Sequence, residues 1–387
     1  MTMVELFYDL VFVFAVTQIS HFLLGHLDWE GAGQAVVCLL VVWWSWNFTT
    51  WATNELDTES TLLRVLLIAL MLATLLMAIA IPEAWGDRAL LFVGSYVAIQ
   101  IGRTAFLTFV AGEPGTIERR RAAHILVWFC ASGALWLAGG FADGSARTLL
   151  WLIALAIDYG GPLVTFRVPF LEPVDPEAWD IGTEHFAERF QLFVIIALGE
   201  TIVITGTTTS PEVLDAGTIG ALAIAFLGTA ALWWLYFASI ADLAERGLRD
   251  ADRRTLAARD AYTYIHVVLV AGIIVAAVGD ELVIAHPKEE LSAAEVAAVV
   301  GGPILFLLAQ LALRLRMSGT VSARRLTVIG ACAVVGVALA SAPAIVLASA
   351  ILCLLVALVV ADEIARGRRE RRGEPHPIEE TAEAGGA

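Results

Sequence analysis

The chain has 387 residues, 59% hydrophobic and 16% charged, with a mean hydropathy of +0.77. Soluble domains are nearer half apolar and about a quarter charged, and many apolar runs here approach the roughly 20 residues that cross about 30 Å of hydrocarbon. The formal net charge of −15 does not imply a basic partner, because the carboxylates are spread over many loops. No basic patch interleaved with aromatics suggests nucleic acid.

Backbone groups in lipid are satisfied within a helix or a closed barrel. Barrel strands are about half as long as these runs and alternate in polarity. The composition therefore predicts an all-α polytopic bundle of about twelve transmembrane helices. In chain order the spans fall at 4–25, 31–51, 61–81, 89–110, 122–141, 147–166, 187–207, 217–238, 261–283, 294–315, 325–341 and 343–362. The last two also fit a single re-entrant hairpin. Glu5 and Asp9 interrupt the first run and no basic region precedes it, so no cleavable signal is expected.

Trp43, Trp44, Trp46, Trp51, Trp233 and Trp234 read as interfacial aromatics near helix ends. Residues 167–186, with Pro169, Pro173 and Pro176, read as a linker between a first membrane half (1–166) and a second (187–365). Residues 242–259 alternate acids and arginines at helical spacing, as a surface helix does. Residues 366–387 read as a disordered tail. Cys38, Cys130, Cys332 and Cys353 lie in apolar runs without zinc-type spacing and read as buried hydrophobes. No disulfide, metal site or cofactor is expected.

With twelve spans, 18 of the 24 Lys and Arg residues fall in even-side loops or the tail, three on the opposite side and three in or at the edge of spans. By the positive-inside rule both termini are cytoplasmic in the plasma membrane.

A weak repeat links the halves. ELFYDLVFVFAVTQI from Glu5 aligns with ERFQLFVIIALGETI from Glu188, and the next span of each half carries Trp-Trp followed by an aromatic two residues on: Trp46 and Tyr236. Six helices per half would give both the same orientation, related by an axis along the membrane normal. These two segments, extended to HFAERFQLFVIIALGETIV at 185–203, resemble the low temperature requirement protein A (LtrA) family of bacterial membrane proteins. The resemblance covers essentially the whole chain. It implies a multi-pass membrane protein and supplies no reaction. Gln191 stands where the family has Gly, and the usual basic stretch before the first motif is absent.

Ionisable residues inside spans are costly and point by default to function. Glu5 and Asp9 are four apart on one helix face, and His185, Glu188 and Arg189 form a similar group at the start of the seventh span. Acids in a first turn also offset the helix dipole, but Asp9 lies too deep for that. Arg189 has the apolar Leu6 as its repeat counterpart, so it is expected to pair with Asp9 or Glu5, with Glu188 or a lipid phosphate as the plain alternative. Glu200 lies on nearly the same face as Arg189 and about 16 Å deeper. Asp158 precedes Gly160-Gly161-Pro162, a helix break beside an acid; Gly301-Gly302-Pro303 is similar, and both equally suit a kink for close packing. Arg103 is deep enough to need a partner, Arg64 snorkels, and His124 and His266 read as satisfied core residues.

These features suggest a secondary transporter or channel-like protein, plausibly coupled to protons, with Glu5, Asp9, Asp158, His185, Glu188, Arg189 and Glu200 on its pathway. An enzyme acting on a lipid-linked substrate at the cytoplasmic rim, or an accessory protein without turnover, are the alternatives. The lipid bilayer is the one partner implied, with an unnamed small molecule, ion or lipid as substrate.

Overall fold

The computed structural model describes residues 2–56, 60–169, 171–175, 181–209 and 215–372. All regular structure among them is helical. The first helices are α1 (Met3–Gly25), α2 (Trp29–Thr53), α3 (Thr61–Ala80), α4 (Ala89–Phe106), α5 (Ile117–Phe141) and α6 (Gly144–Gly160). Then come α7 (Thr183–Thr209), α8 (Ala216–Leu235), α9 (Ala241–Arg249), α10 (Arg254–Ala258), α11 (His266–Ala285), α12 (Ala293–Ser318), α13 (Ala323–Ala338) and α14 (Ala344–Arg372). Short π turns extend α4 through Leu107–Ala111, join α8 to α9 at Tyr236–Ile240, and join α10 to α11 at Arg259–Ile265. Ser60, Thr116, Asp215, Ser292 and Ser322 fix five helix starts by accepting a backbone N–H three residues on.

Among the described residues, 11 helical rods are long and apolar enough to cross a membrane. The exception is α13, whose 16 residues span about 24 Å at 1.5 Å per residue. Its neighbour α14 has 29 residues and needs no hairpin partner to cross. α14 also runs on through Arg372, into the segment expected to be a tail; residues 373–387, like Pro176 of the linker, lie outside the described residues.

Contacts divide the chain into two units. Unit 1 comprises Met1–Phe22, Glu30–Arg189 and Arg253–Arg259; unit 2 comprises Leu23–Trp29, Phe190–Asp252 and Asp260–Ala387. Within unit 1, α3, α4, α5 and α6 pack in chain order, and within unit 2 α11, α12, α13 and α14 do the same. In unit 1, Tyr159 of α6 stacks on Trp44 of α2 with ring centroids 3.8 Å apart; in unit 2, α14 packs on α8.

Four expectations need correction. Cys38 and Cys332 are buried as expected, but Cys130 and Cys353 are exposed. The single surface helix at 242–259 is two pieces, α9 and α10, interrupted at 250–253 and carried as extensions of the membrane rods. Trp43, Trp44, Trp46 and Trp51 are core residues, because α2 is enclosed from Val41 through Thr53; Trp233 and Trp234, 45% and 44% exposed, do sit at the surface. Gly301-Gly302-Pro303 does not interrupt α12, which is continuous past Pro303.

The glycines there serve packing. A Cβ on Gly302 would strike the Ala276 backbone, one on Gly272 would lie 2.5 Å from the Phe306 nitrogen, and one on Gly279 would lie 2.8 Å from Val299 Cα. Small residues let the backbones of α11 and α12 approach. A Cβ on Gly301, by contrast, would meet nothing within 4 Å. Gly302→Ala should therefore destabilise the protein by about 1–3 kcal/mol, read as a lower melting temperature in detergent, while Gly301→Ala should leave it unchanged. Equal effects at both positions would refute this packing account.

Candidate functional site

The α1 motif places Glu5 and Asp9 one helical turn apart on the same face, both essentially unexposed. The first turns of α7 bring Arg189 against them. Its Nη1 donates to Glu5 Oε1 at 2.8 Å and its Nη2 to Asp9 Oδ1 at 2.8 Å. Arg189 Nη1 also reaches Thr53 Oγ1 at 3.3 Å, and Trp46 Nε1 donates to Asp9 Oδ1 at 2.8 Å. One guanidinium thus gathers α1, α2 and the start of α7.

Glu5 is fully used. Its Oε2 accepts from the Thr2 backbone at 2.9 Å and hydroxyl at 3.0 Å, and faces His185 Nε2 at 3.2 Å. Asp9 Oδ2 has no hydrogen-bond partner among the described residues. His185, with its side chain 31% exposed, is the member of the cluster that reaches the surface. Its Nδ1 faces Asn54 Oδ1 at 3.3 Å, so both ring nitrogens face acceptors.

Two carboxylates and one guanidinium leave one negative charge over, which is expensive inside a membrane protein.

The remaining expected site residues lie elsewhere. Glu188 is exposed. Asp158 is buried near the end of α6 and is held by Tyr96 (2.6 Å) from α4 and Trp136 (2.8 Å) from α5, both donating to Oδ2. The Gly-Gly-Pro run beside it ends α6 and starts a 3₁₀ turn, followed by Thr165 and Phe166 at φ 54° and 51°. Glu200 is fully buried in unit 2, next to Thr201, whose hydroxyl lies 2.7 Å from that of Thr229. His266 meets Tyr236 OH at 2.9 Å and the Ala261 carbonyl at 2.9 Å, and His124 meets the Phe166 carbonyl at 3.1 Å, as core histidines do.

Unit 1 also holds a cavity of about 350 Å³ lined by Phe48, Arg103, Thr104, Leu107 and the Arg121–Glu55 ion pair. Arg103, 2% exposed, bonds only neutral groups: Gln100 Oε1, Thr49 Oγ1 at 3.2 Å and the Ser45 carbonyl at 3.4 Å. Thr49 Oγ1 also accepts from Tyr8 at 3.0 Å, the residue before Asp9. Trp46, Asn54, Thr53 and Thr49 were missed in the sequence. A polar side to an apolar helix, with Ser45, Asn47, Thr49, Thr50 and Thr53 in α2, is the signal that points to them.

A family model described as "Bacterial low temperature requirement A protein (LtrA)" matches residues 1–361. An uncharacterized protein of Rhizobium meliloti is 40% identical over 305 residues, which is 78% of this chain and 74% of the relative. No solved structure matches.

Removing Arg189 leaves two buried carboxylates facing each other, whereas removing one acid leaves a one-to-one pair. Arg189→Gln should cost about 3–5 kcal/mol in detergent unfolding, more than Asp9→Asn, and the double variant should recover part of the loss. A milder effect for Arg189→Gln than for Asp9→Asn would contradict the bridging role.

Proposed function

Because this chain belongs to the bacterial low temperature requirement A family and is an integral membrane protein, we propose that it is a proton-coupled secondary transporter of a small solute. The observation that carries this reading is the buried Glu5–Arg189–Asp9 cluster, one proton short of neutrality, with His185 at its partly exposed edge. A group that must gain a proton to balance its charge answers readily to pH or to a nearby ligand. The unit 1 cavity supplies a vestibule, and Thr49 ties its Arg103 to Tyr8 beside the cluster. Glu200 is a second buried carboxyl on the pathway. Asp158, held by Tyr96 and Trp136, serves to fasten α4, α5 and α6. Catalysis at the membrane rim is the weaker reading, since Glu5 and Asp9 are closed to a substrate.

The arginine distribution supports a cytoplasmic location for both termini, a reading that requires the 16-residue α13 to cross as a twelfth span. A reporter fused after residue 365 should be active only there, and activity on the opposite side would overturn the topology.

For transport, proteoliposomes on a solid-supported membrane would be challenged with short carboxylates, amines and sugars at about pH 5 to 8. At least one class should give a pH-dependent current, and Asp9→Asn should abolish it. Silence of the unaltered protein to all three classes would sink the proposal.

A further inference from the structure

A second charged site lies in unit 2, in a groove of about 600 Å³ formed by α8, α9, α12, α13 and α14. Its lining includes Arg246, Arg314, Arg324, Arg325, Arg366 and Arg369 against Asp242, Asp362, Glu363 and Glu370. Six arginines against four acids leave two positive charges. The acids are also unevenly used. Asp242 pairs with Arg246 at 2.9 Å, and Glu363 pairs with Arg366 and accepts from Trp234 Nε1 at 2.8 Å. Asp362 answers two arginines at once, Arg324 at 2.6 Å and Arg325 at 3.1 Å.

Arg314 Nε donates only to the Thr320 hydroxyl, at 2.9 Å. It stands in the field of Arg369 and Arg324, with Asp362 the one acid opposing them. Arg369 has no acid within ion-pair distance among the described residues, and Glu370 points to solvent at the rim. Arg325, 2% exposed, lies at the buried side of the groove. Cations crowded this way repel one another unless an anion sits among them.

Next to the groove the outer faces of α8 and α14 are apolar and open: Trp233, Trp234, Val360 and Ile364 are all exposed. A phosphate-bearing headgroup in the groove would therefore have a ready surface for its acyl chains. We propose that this groove binds the headgroup of an anionic phospholipid, its phosphate charge held by Arg314 and Arg369. The two uncompensated charges suit a headgroup carrying two negative charges, and basic pockets between membrane helices recognise such lipids.

The test uses the full chain, purified in detergent and stripped of lipid. Its melting temperature would be followed with added cardiolipin, with phosphatidylethanolamine of matched chains, and with inorganic phosphate. Cardiolipin should stabilise at about tenfold lower concentration than phosphatidylethanolamine, and inorganic phosphate should do little. Arg314→Gln with Arg369→Gln should remove that preference, and the corresponding Lys pair, which keeps the charge, should retain part of it. Arg119→Gln with Arg120→Gln, an equal loss of charge in unit 1, should leave it intact. Equal loss in both Gln pairs would mean diffuse attraction and overturn the site. A full response to inorganic phosphate would assign the groove to a soluble anion and overturn the lipid, and no preference between the two lipids would overturn both. If the Gln pair does not fold, failure of the Lys pair to bind cardiolipin better than phosphatidylethanolamine counts against the proposal.

Discussion

The Arg189 guanidinium is the interaction on which the first unit depends. Its planar fork reaches two acids one turn apart, each at 2.8 Å, a geometry that a lysine ammonium cannot reproduce because it offers a single point of charge. The spacing of Glu5 and Asp9 on α1 is what lets one cation hold both. Trp46 then fixes the Asp9 carboxyl from α2, so the ion pair and the helix packing are one arrangement. The cluster leaves an Asp9 oxygen unbonded and a histidine facing both Glu5 and Asn54, beside the ion pair that ties α1 to α7.

Arg103 meets the same cost by a different route. It has neutral hydrogen-bond acceptors and two aromatic faces, with Cζ 5.5 Å from the Phe48 ring centre and 5.7 Å from that of Phe129. Cation–π attraction strengthens when water is excluded. The two arginines contact the same helix, α2, through Thr49 and Thr53. That explains why an enclosed helix carries hydroxyls through its second half: its polar side is the meeting surface for both cations.

Much of this was legible in the sequence. Length and polarity of the apolar runs gave the helical class, since lipid admits few alternatives. The Arg189 pairing followed from an arginine present in one repeat and from acids at a four-residue spacing. What stayed hidden depends on tertiary neighbours. A cluster such as Trp43, Trp44 and Trp46 reads alike at a headgroup interface and in a core, and only the enclosure of α2 decides it. Gly301-Gly302-Pro303 reads as a break, but a proline inside a membrane helix is tolerated when neighbours pack tightly around it, and Gly302 provides that contact. The partner of Asp9 on α2, Trp46, lies 37 residues away in sequence, and the hydroxyls near it leave only a diffuse polar pattern. The cavity beside Arg103 is lined by residues of α2, α4, α5 and the segment between the last two, which no local pattern encodes.

The distance along the chain between the partners has a consequence for biogenesis. Glu5 and Arg189 are 184 residues apart, and synthesis proceeds at roughly 5–20 residues per second. The first helix therefore leaves the ribosome about 10–40 s before its counter-charge exists. An acid costs about 3 kcal/mol at the centre of an inserting helix; Glu5 and Asp9 lie in the first two turns of α1, so the penalty during that interval is a fraction of this. The order of synthesis thus leaves the first helix without its counter-charge until the seventh has been made.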